Sequence, residues 1–371
     1  MLRSLSSLML GASLLSLTPL LRASDDDPTI RGKSLTEWLK VLHDDPDVKK
    51  RQIAILIVDK FGTKSKLVLP ALLKELRDNG EPAIRARCAA LLTRYKDSKE
   101  KLIEPLAAAL RDDKEGVVRE SAAAALGKLD REAFPAIPAL TTALSDKHAG
   151  TRAAAAETLG QFSGIDAEIA KSAIPALIVA LKDGDNSVRI AAANALGRMG
   201  PIAADAAPAL AALLTTEKNT LVLKEAMKSL AAMGAKAAPA TAALANALKQ
   251  PDADVRQQAA IALGRIGPDA AAALPDLLAA TRDKDKSIRC LAVHAVGGLG
   301  KAALPKLQAL ISLLKDDDVP EVRLAVIEEL GGFGPEAKDA IDALTIAAKD
   351  GRAAVREAAA DALKKIQQKE Q

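Results

Sequence analysis

Apolar residues along this chain recur at the spacing of an amphipathic helix, and the whole pattern repeats. Residues 173–201 read AIPALIVALKDGDNSVRIAAANALGRMGP. Their apolar positions are three and four residues apart, which predicts helices. A polar loop at 184–187 separates two such helices, and Gly200-Pro201 ends the second one. The pattern therefore predicts a helical hairpin.

A basic residue near the start of each second helix marks the spacing of these hairpins. The marker positions are Lys49, Arg85, Arg119, Arg152, Arg189, Leu223, Arg256, Arg289, Arg323 and Arg356, with leucine in the sixth unit. Successive markers are 33 to 37 residues apart. Hairpins this short cannot bury their apolar faces alone, so neighbouring hairpins must stack. We therefore predict an all-α solenoid of about ten hairpins over residues 34–366.

The second helices carry a family resemblance. Residues 188–197 and 255–264 both begin with Val-Arg, continue through alanines and close with Ala-Leu-Gly. This pattern resembles HEAT repeats, and in particular the bacterial HEAT-like class that includes the phycobilin-lyase repeats. The resemblance implies a right-handed α-solenoid in which the second helices line the concave surface. It says little about activity, because one fold hosts many functions.

The first hairpin has features of a terminal repeat. Ser34 and Glu37 form the sequence pattern of a capping box, in which each side chain caps the backbone of the other. Trp38 follows in the first turn, where we expect it to cover an exposed apolar end of the stack. The alternative is a tryptophan that stacks on a ligand.

Residues 1–23 are predicted to be a signal peptide. A basic start at Arg3 is followed by an apolar run that Pro19 interrupts, and Ala23 offers a small residue for cleavage. An uncleaved anchor is the alternative. We assign residues 24–33 to a linker and 367–371 to a polar C-terminal tail. This organisation predicts export to the periplasm or exterior of a bacterium.

Composition and charge narrow the classes of partner. Hydrophobic residues make up 49% of the chain but aromatic residues only 2%, so the core must consist of small alanine and leucine contacts. The formal net charge is +4, and it falls to +2 when Arg3 and Arg22 leave with the signal peptide. Nucleic-acid binding is not expected, since it requires a strong basic excess.

An acidic residue near the end of each first helix recurs with the marker arginine. A catalytic pair would occur once, so we interpret these residues as a structural ladder in which each acid pairs with an arginine of its own or the neighbouring hairpin. The pattern includes Asp112 and Asp316, and Thr216 and Leu223 interrupt it in the sixth unit. The predicted ladder comprises Asp78, Arg85, Arg119, Asp146, Arg152, Asp183, Arg189, Arg256, Asp283, Arg289, Arg323, Asp350 and Arg356.

A partner is expected to contact the variable face of the second helices. Positions one, five and nine after the marker share one helix face. This face is basic in the early and middle units and acidic at Glu328, Glu357 and Asp361, which favours an acidic partner in the middle. The predicted contact residues are Arg94, Lys128, Asn194, Arg198, Lys224, Lys228, Arg265 and His294.

Residues capable of catalysis are sparse. None of His43, His148 and His294 is followed by glutamate, and no two share a predicted helix, so metal-ligand spacing is absent. Deoxyhypusine hydroxylase has a similar architecture but needs repeated His-Glu pairs. Cys88 and Cys290 lie in distant units, which argues against an intrachain disulfide. We expect no enzymatic activity and assign no catalytic, cofactor-binding or metal-binding residue.

These observations predict a non-catalytic protein-binding scaffold or adaptor in an extracytoplasmic compartment. Its partner would be a protein or peptide, and we expect a monomer without stable membrane insertion after cleavage. Two alternatives stay open. The resemblance weakly supports a phycobilin-lyase-like, chromophore-handling protein, which export and the shortage of aromatic residues oppose. A structural envelope protein is the other.

Overall fold

The computed structural model of the chain describes residues 29–63 and 65–368. The predicted signal peptide lies outside the described residues, as do residues 24–28 of the predicted linker and 369–371 of the predicted tail. The chain divides into two compact units, one up to Val68 and one from Leu69.

The first unit opens with a small β-hairpin. Strand β1, Thr29–Ile30, pairs antiparallel with β2, Lys33–Ser34. Arg31 and Gly32 between them both have positive φ, 55° and 75°, as a two-residue hairpin turn requires. Residues 29–33 of the predicted linker therefore belong to an ordered turn. Helices α1, Leu35–Asp44, and α2, Val48–Lys60, follow.

The β-hairpin fixes the start of α1. The Ser34 hydroxyl accepts from the Glu37 amide at 3.3 Å, and the Glu37 carboxylate accepts from the Ser34 amide at 2.7 Å, so the predicted capping box is confirmed. Trp38 is 8% exposed, and its indole N–H donates to the carbonyl of Ile30 at 2.8 Å. The Lys33 ammonium lies 5.7 Å from the ring. The tryptophan thus packs under the β-hairpin of its own unit and presents no open ring to a ligand.

The second unit is a stack of nine helical hairpins. Their helices are α3 Val68–Asp78, α4 Pro82–Leu92, α5 Glu100–Asp112, α6 Gly116–Gly127, α7 Ile137–Ala143, α8 Ala149–Ile165, α9 Ile174–Ala180, α10 Asn186–Met199, α11 Ala207–Thr216, α12 Thr220–Met233, α13 Thr241–Ala247, α14 Ala253–Ile266, α15 Leu274–Ala280, α16 Lys286–Gly298, α17 Leu307–Asp316, α18 Pro320–Gly332, α19 Ile341–Ala347 and α20 Ala353–Gln367. With α1 and α2, the described residues contain ten hairpins. The predicted all-α solenoid of about ten hairpins is confirmed.

Most hairpins are joined by a seven-residue 3-10 segment. These segments span residues 130–136, 200–206, 234–240, 267–273, 300–306 and 334–340. Five of them begin with a glycine at φ between 56° and 75°, a conformation that ends the preceding helix and that side chains disfavour. Asp130 holds the same position with φ 57°.

The core is mostly alanine and leucine, as the composition predicts, with valine and isoleucine among them. A Cβ added to Gly160 would lie 3.0 Å from the Ala195 Cα, and one added to Gly197 would lie 2.9 Å from the Ser229 Cα. Consecutive second helices therefore approach closely through small residues. One aromatic contact interrupts this pattern, where Phe134 meets Phe162 edge to face at 5.3 Å.

An arginine ladder joins the hairpins of the second unit. In each rung the arginine of one hairpin donates to the carboxylate of the next, with N–O distances of 2.6–2.9 Å. Each arginine also donates to a carbonyl of its own loop, as Arg152 does to Asp146 at 2.7 Å. The rungs are Arg85–Asp113, Arg119–Asp146, Arg152–Asp183, Arg189–Glu217, Arg256–Asp283, Arg289–Asp317 and Arg323–Asp350.

Each ladder acid also closes its own loop. The Asp183 carboxylate accepts the backbone N–H of Asp185 at 2.9 Å, besides the guanidinium of Arg152. The hydrogen bond from Arg152 lowers the pKa of Asp183. At the last hairpin, Arg356 keeps the bonds to its own loop, and no acid pairs with it among residues 29–63 and 65–368.

Three predicted ladder acids are wrong by one residue. Asp78, Asp112 and Asp316 end their helices, whereas the ladder position is the next residue along, occupied by Asn79, Asp113 and Asp317. Only that position lies six residues before the marker arginine and brings its carbonyl to the guanidinium.

Asp78 instead pairs with its neighbour. The Arg77 Nε donates to the Asp78 Oδ1 at 2.8 Å on the surface. The marker of the first hairpin also needs correction, because Arg51, and not Lys49, donates to the Asp45 carbonyl at 2.7 Å.

One rung is absent between the sixth and seventh hairpins. Leu223 stands at the arginine position, as the sequence indicates, and Gln250 stands at the matching acid position of the next hairpin. Both halves of the rung are thus replaced together. Gln250 is exposed, and Lys224 bridges the two hairpins through Asp254 at 2.6 Å.

Candidate partner-binding surface

The residues predicted to contact a partner lie on the second helices or, for Arg94 and Lys128, just beyond the ends of α4 and α6. We call this surface the second-helix face. Its exposed members are Arg94, Lys128, Arg198, Lys228, Arg265 and His294, and its half-buried members are Asn194 and Lys224. The structure brings Asn194, Arg198 and Lys228 together. The other residues are spread along the face in separate hairpins.

Local sequence directs these side chains outward. Helix α10 begins behind Asp185, whose carboxylate accepts from the Ser187 amide at 2.8 Å. Ala192 and Leu196 are buried, so the helical period turns Asn194 and Arg198 towards the opposite side. Helix α12 repeats this arrangement behind its own cap.

A shallow cavity of about 220 Å³ lies between α10 and α12. The Asn194 amide donates to the Glu225 carboxylate at 2.7 Å, and the Arg198 Nε donates to the Asn194 amide oxygen at 3.1 Å. The Lys228 ammonium donates to Glu225 at 3.3 Å. We call these four residues the middle cluster. The rest of the lining consists of Gly197, Ser229 and Ala232.

Glu225 is the residue that sequence reasoning missed. It stands two positions after the marker, where most units carry alanine or another uncharged residue, and an acid there was a detectable exception. Its side chain is 16% exposed, and it neutralises part of the positive charge of Lys228. Lys224 is likewise paired, with Asp254. The middle of the face is therefore less basic than the predicted contact residues alone suggest.

Two exposed arginines retain an available charge. Among residues 29–63 and 65–368, neither Arg198 nor Arg265 lies within ion-pair distance of a carboxylate, and Arg198 donates to the neutral amide of Asn194. A guanidinium binds carboxylates through two parallel hydrogen bonds. These two arginines are accordingly suited to hold an acidic group from outside the chain.

His294 lies in the acidic part of the face. It occupies the same position in α16 as Asn194 does in α10, and its Nδ1 lies 2.8 Å from the Glu329 Oε1. This hydrogen bond raises the pKa of His294, and the charge of Glu328 adds to the effect. Glu357 and Asp361 are exposed further along. The predicted change from basic to acidic residues along the face is therefore present.

Neither cysteine has the lowered pKa that activates a thiol. Cys88 is buried, and burial raises the pKa of its thiol. Cys290 is half-buried, and burial again raises the thiol pKa. Both side chains are thus protonated near neutral pH. Residues 29–63 and 65–368 contain no cluster of three or more potential metal ligands.

Comparison with known proteins identifies the family. The model that describes HEAT repeats matches residues 35–127, 103–171, 137–231, 241–319 and 307–371. The chain belongs to the HEAT-repeat family. A search of curated proteins finds no match.

Solved structures with the HEAT architecture resemble the chain at low identity. Importin β, crystallised in an ammonium sulfate condition, is 16% identical with a TM-score of 0.57, over 89% of this chain and 50% of that one. Yeast importin-β (Kap95p) is 13% identical with a TM-score of 0.58, over 90% and 51%.

A homology model of the AP-3 complex, in an intermediate open conformation, is also similar. It is 14% identical with a TM-score of 0.59, over 89% of this chain and 68% of that one. The chain spans about half the length of the importin β structures. At these identities the likeness establishes the HEAT fold alone.

Proposed function

We propose that this HEAT-repeat chain is a non-catalytic protein-binding scaffold or adaptor that holds an acidic protein segment on the concave face of its second helices. The middle cluster carries the proposal. It combines a cavity with the guanidinium of Arg198, which has no carboxylate partner among residues 29–63 and 65–368, and Arg265 lies two hairpins further along.

An acidic segment suits this surface for two physical reasons. Incoming carboxylates would replace water around Arg198 and Arg265 without breaking an existing ion pair of either residue, so little energy is lost on binding. Glu225 positions Asn194 and Lys228 at the edge of the cavity. Protein binding is also described for a neighbour of the same fold, since one structure of Kap95p concerns its binding to RanGDP.

The proposed compartment rests on the first 23 residues. A basic start, an apolar run and a small residue at the end form the pattern of a secretory signal. We therefore propose an exported protein of the periplasm or exterior of a bacterium. N-terminal sequencing of the protein recovered from an extracytoplasmic fraction should begin at Ser24. Recovery of the whole chain from the cytoplasm would contradict the proposal.

The binding surface is tested by reversing its charge. Arg198→Glu, Lys228→Glu and Arg265→Glu together should abolish capture of a partner from an extracytoplasmic extract. They should also weaken binding of a polyglutamate peptide by about tenfold or more, measured by fluorescence anisotropy. Cross-links from a captured partner should fall on α10, α12 and α14.

A matched control separates local binding from net charge. Lys182, Lys236 and Arg282 are exposed and lie outside the second-helix face, so their reversal to glutamate changes the net charge equally. This triple variant should retain the partner and bind polyglutamate as the unmodified protein does. Equal loss in both variants, or no loss in the first, would refute the proposed surface.

A further inference from the structure

A second surface lies between the first helices of the second and third hairpins. A cleft of about 770 Å³ separates α3 from α5. Its floor is apolar and includes Leu73, Leu76 and Pro105, with Ala108 and Ala109 beside them. The volume is more than three times that of the cavity in the middle cluster.

The cleft follows from an irregular connection. In several hairpins the 3-10 segment of the next hairpin packs on the first helix, as residues 130–136 do on α5 and residues 234–240 on α11. Before α5 the 3-10 turn is only Lys96–Ser98, and α5 begins at Glu100, five residues ahead of Pro105. The connection before α5 therefore lacks the seven-residue 3-10 segment that packs on the preceding first helix in those hairpins.

The two walls of the cleft carry opposite charges. Lys74 and Arg77 are exposed on the α3 wall, whereas Glu104 and Asp112 are exposed on the α5 wall. Arg77 also pairs with Asp78 at 2.8 Å and Glu104 with Arg111 at 2.7 Å, but these ion pairs lie on the surface, where they are weak. Asp113 also lines the cleft, but it is engaged in a rung with Arg85. An occupant with a single sign of charge would be repelled by one wall. An occupant with an acidic flank and a basic flank matches both.

The dimensions suit a helix. Residues 70–77 of α3 line one wall, a length of roughly 10 Å at the helical rise. About two turns of an amphipathic helix would fill this length with apolar side chains spaced three and four residues apart. The half-buried Leu73 and Pro105 offer the apolar contacts for such a stripe.

We propose that this cleft binds an amphipathic helix of a partner protein, with acidic residues against Lys74 and Arg77 and basic residues against Glu104 and Asp112. The site is independent of the second-helix face. A protein holding one partner on each surface would bring the two partners together.

Three synthetic helices of about four turns test the charge arrangement. All carry the same leucine stripe, and their flanks are glutamate and lysine, glutamate on both sides, or lysine on both sides. The peptide with one glutamate flank and one lysine flank can bind in either direction along the cleft. Because turning it round exchanges the walls that its two flanks face, one of the two directions always matches the charges. In fluorescence anisotropy this peptide should bind about tenfold more tightly than either of the others. Equal binding of all three would overturn the proposal.

Charge reversal on the α3 wall should change the preference. The double substitution Lys74→Glu and Arg77→Glu makes both walls acidic. Both positions are exposed, so the fold should be retained. This variant should prefer the peptide with two lysine flanks. An unchanged preference would mean that the peptide binds elsewhere, and the proposal would fail.

Filling the cleft provides a second test. Ala109→Phe should weaken binding of the mixed-flank peptide by about tenfold. Ala279→Phe, at the equivalent position of α15, should leave binding unchanged, and thermal unfolding should verify that both variants are folded. Sedimentation of the unmodified protein should also show a monomer. A dimer that Ala109→Phe disrupts would mean that a second copy of the chain occupies the cleft, and this result would overturn the proposal.

Discussion

Arg152 of the fourth hairpin donates two parallel hydrogen bonds to Asp183 of the fifth, 2.6 Å from Nε to Oδ2 and 2.8 Å from Nη2 to Oδ1. The two side chains are 18% and 13% exposed. The same relationship recurs along the stack, and it supplies a regularly repeated polar contact between units that otherwise pack largely through small apolar residues.

Removing the arginine of this rung should destabilise the stack. Arg152→Ala leaves the mostly buried carboxylate of Asp183 without its strongest partner, and we expect a loss of about 2 kcal/mol in the free energy of unfolding. Urea unfolding followed by circular dichroism measures it. Arg77→Ala is the control, because that arginine forms its ion pair with Asp78 on the surface and should produce no measurable change. A loss equal to that of the control would show that the rung contributes nothing.

The ladder should make stability sensitive to acid. The hydrogen bond from Arg152 lowers the pKa of Asp183 in the folded protein, while an unfolded aspartate titrates near about 3.9. The stabilisation is therefore present above about pH 4 and is lost as the pH falls through the folded pKa. Thermal melts between pH 7 and pH 2 should show this decline. Asp183→Asn should be less stable at neutral pH and should show a shallower decline, whereas parallel curves would contradict the assignment.

The absent rung can be built. Leu223→Arg with Gln250→Asp supplies both halves between the sixth and seventh hairpins, and we expect a gain of about 1 kcal/mol over the sum of the two single changes. Either change alone adds a charge without its partner and should not stabilise. A double-mutant cycle in urea unfolding measures the coupling. Zero coupling would mean that the geometry at this interface does not accept a rung.

His294 should titrate above its ordinary range. The hydrogen bond to Glu329 raises the pKa of His294, and the imidazolium is favoured up to a higher pH than the unperturbed value of about 6.5. Proton NMR of the imidazole should show this shift, and Glu329→Gln should reverse most of it. Because the folded pKa is raised, the pair stabilises the fold at low pH and ceases to do so as the pH rises through that pKa. An unshifted His294 would contradict the contact.

The helical period sufficed to predict the hairpins, because short apolar stretches with regular stops have few other ways to bury themselves. The partners within the ladder were harder to predict. Asp112 and Asp113 are adjacent acids, and only the end of α5 determines which one meets Arg85. Glu225 was overlooked because its role depends on a helix in the preceding hairpin. The cleft between α3 and α5 could not be predicted, because it depends on the distance between two helices. The pattern of residues along one helix does not determine that distance.

The absent rung also has a consequence for the order of the hairpins. Hairpins that carry both an arginine and an acid could exchange places and still pair with their new neighbours. The sixth hairpin lacks the arginine and the seventh lacks the acid. If a hairpin with both residues replaced either one, its arginine or its acid would have no partner in the hairpin that remained. A charge held without its partner at such a mostly buried site is costly. The sixth and seventh hairpins therefore match one another as neighbours, and among the other described hairpins only the second, with Asn79 at the acid position, could follow the sixth without an unmatched charge. The sequence of units in the chain is thus not freely permutable at this point.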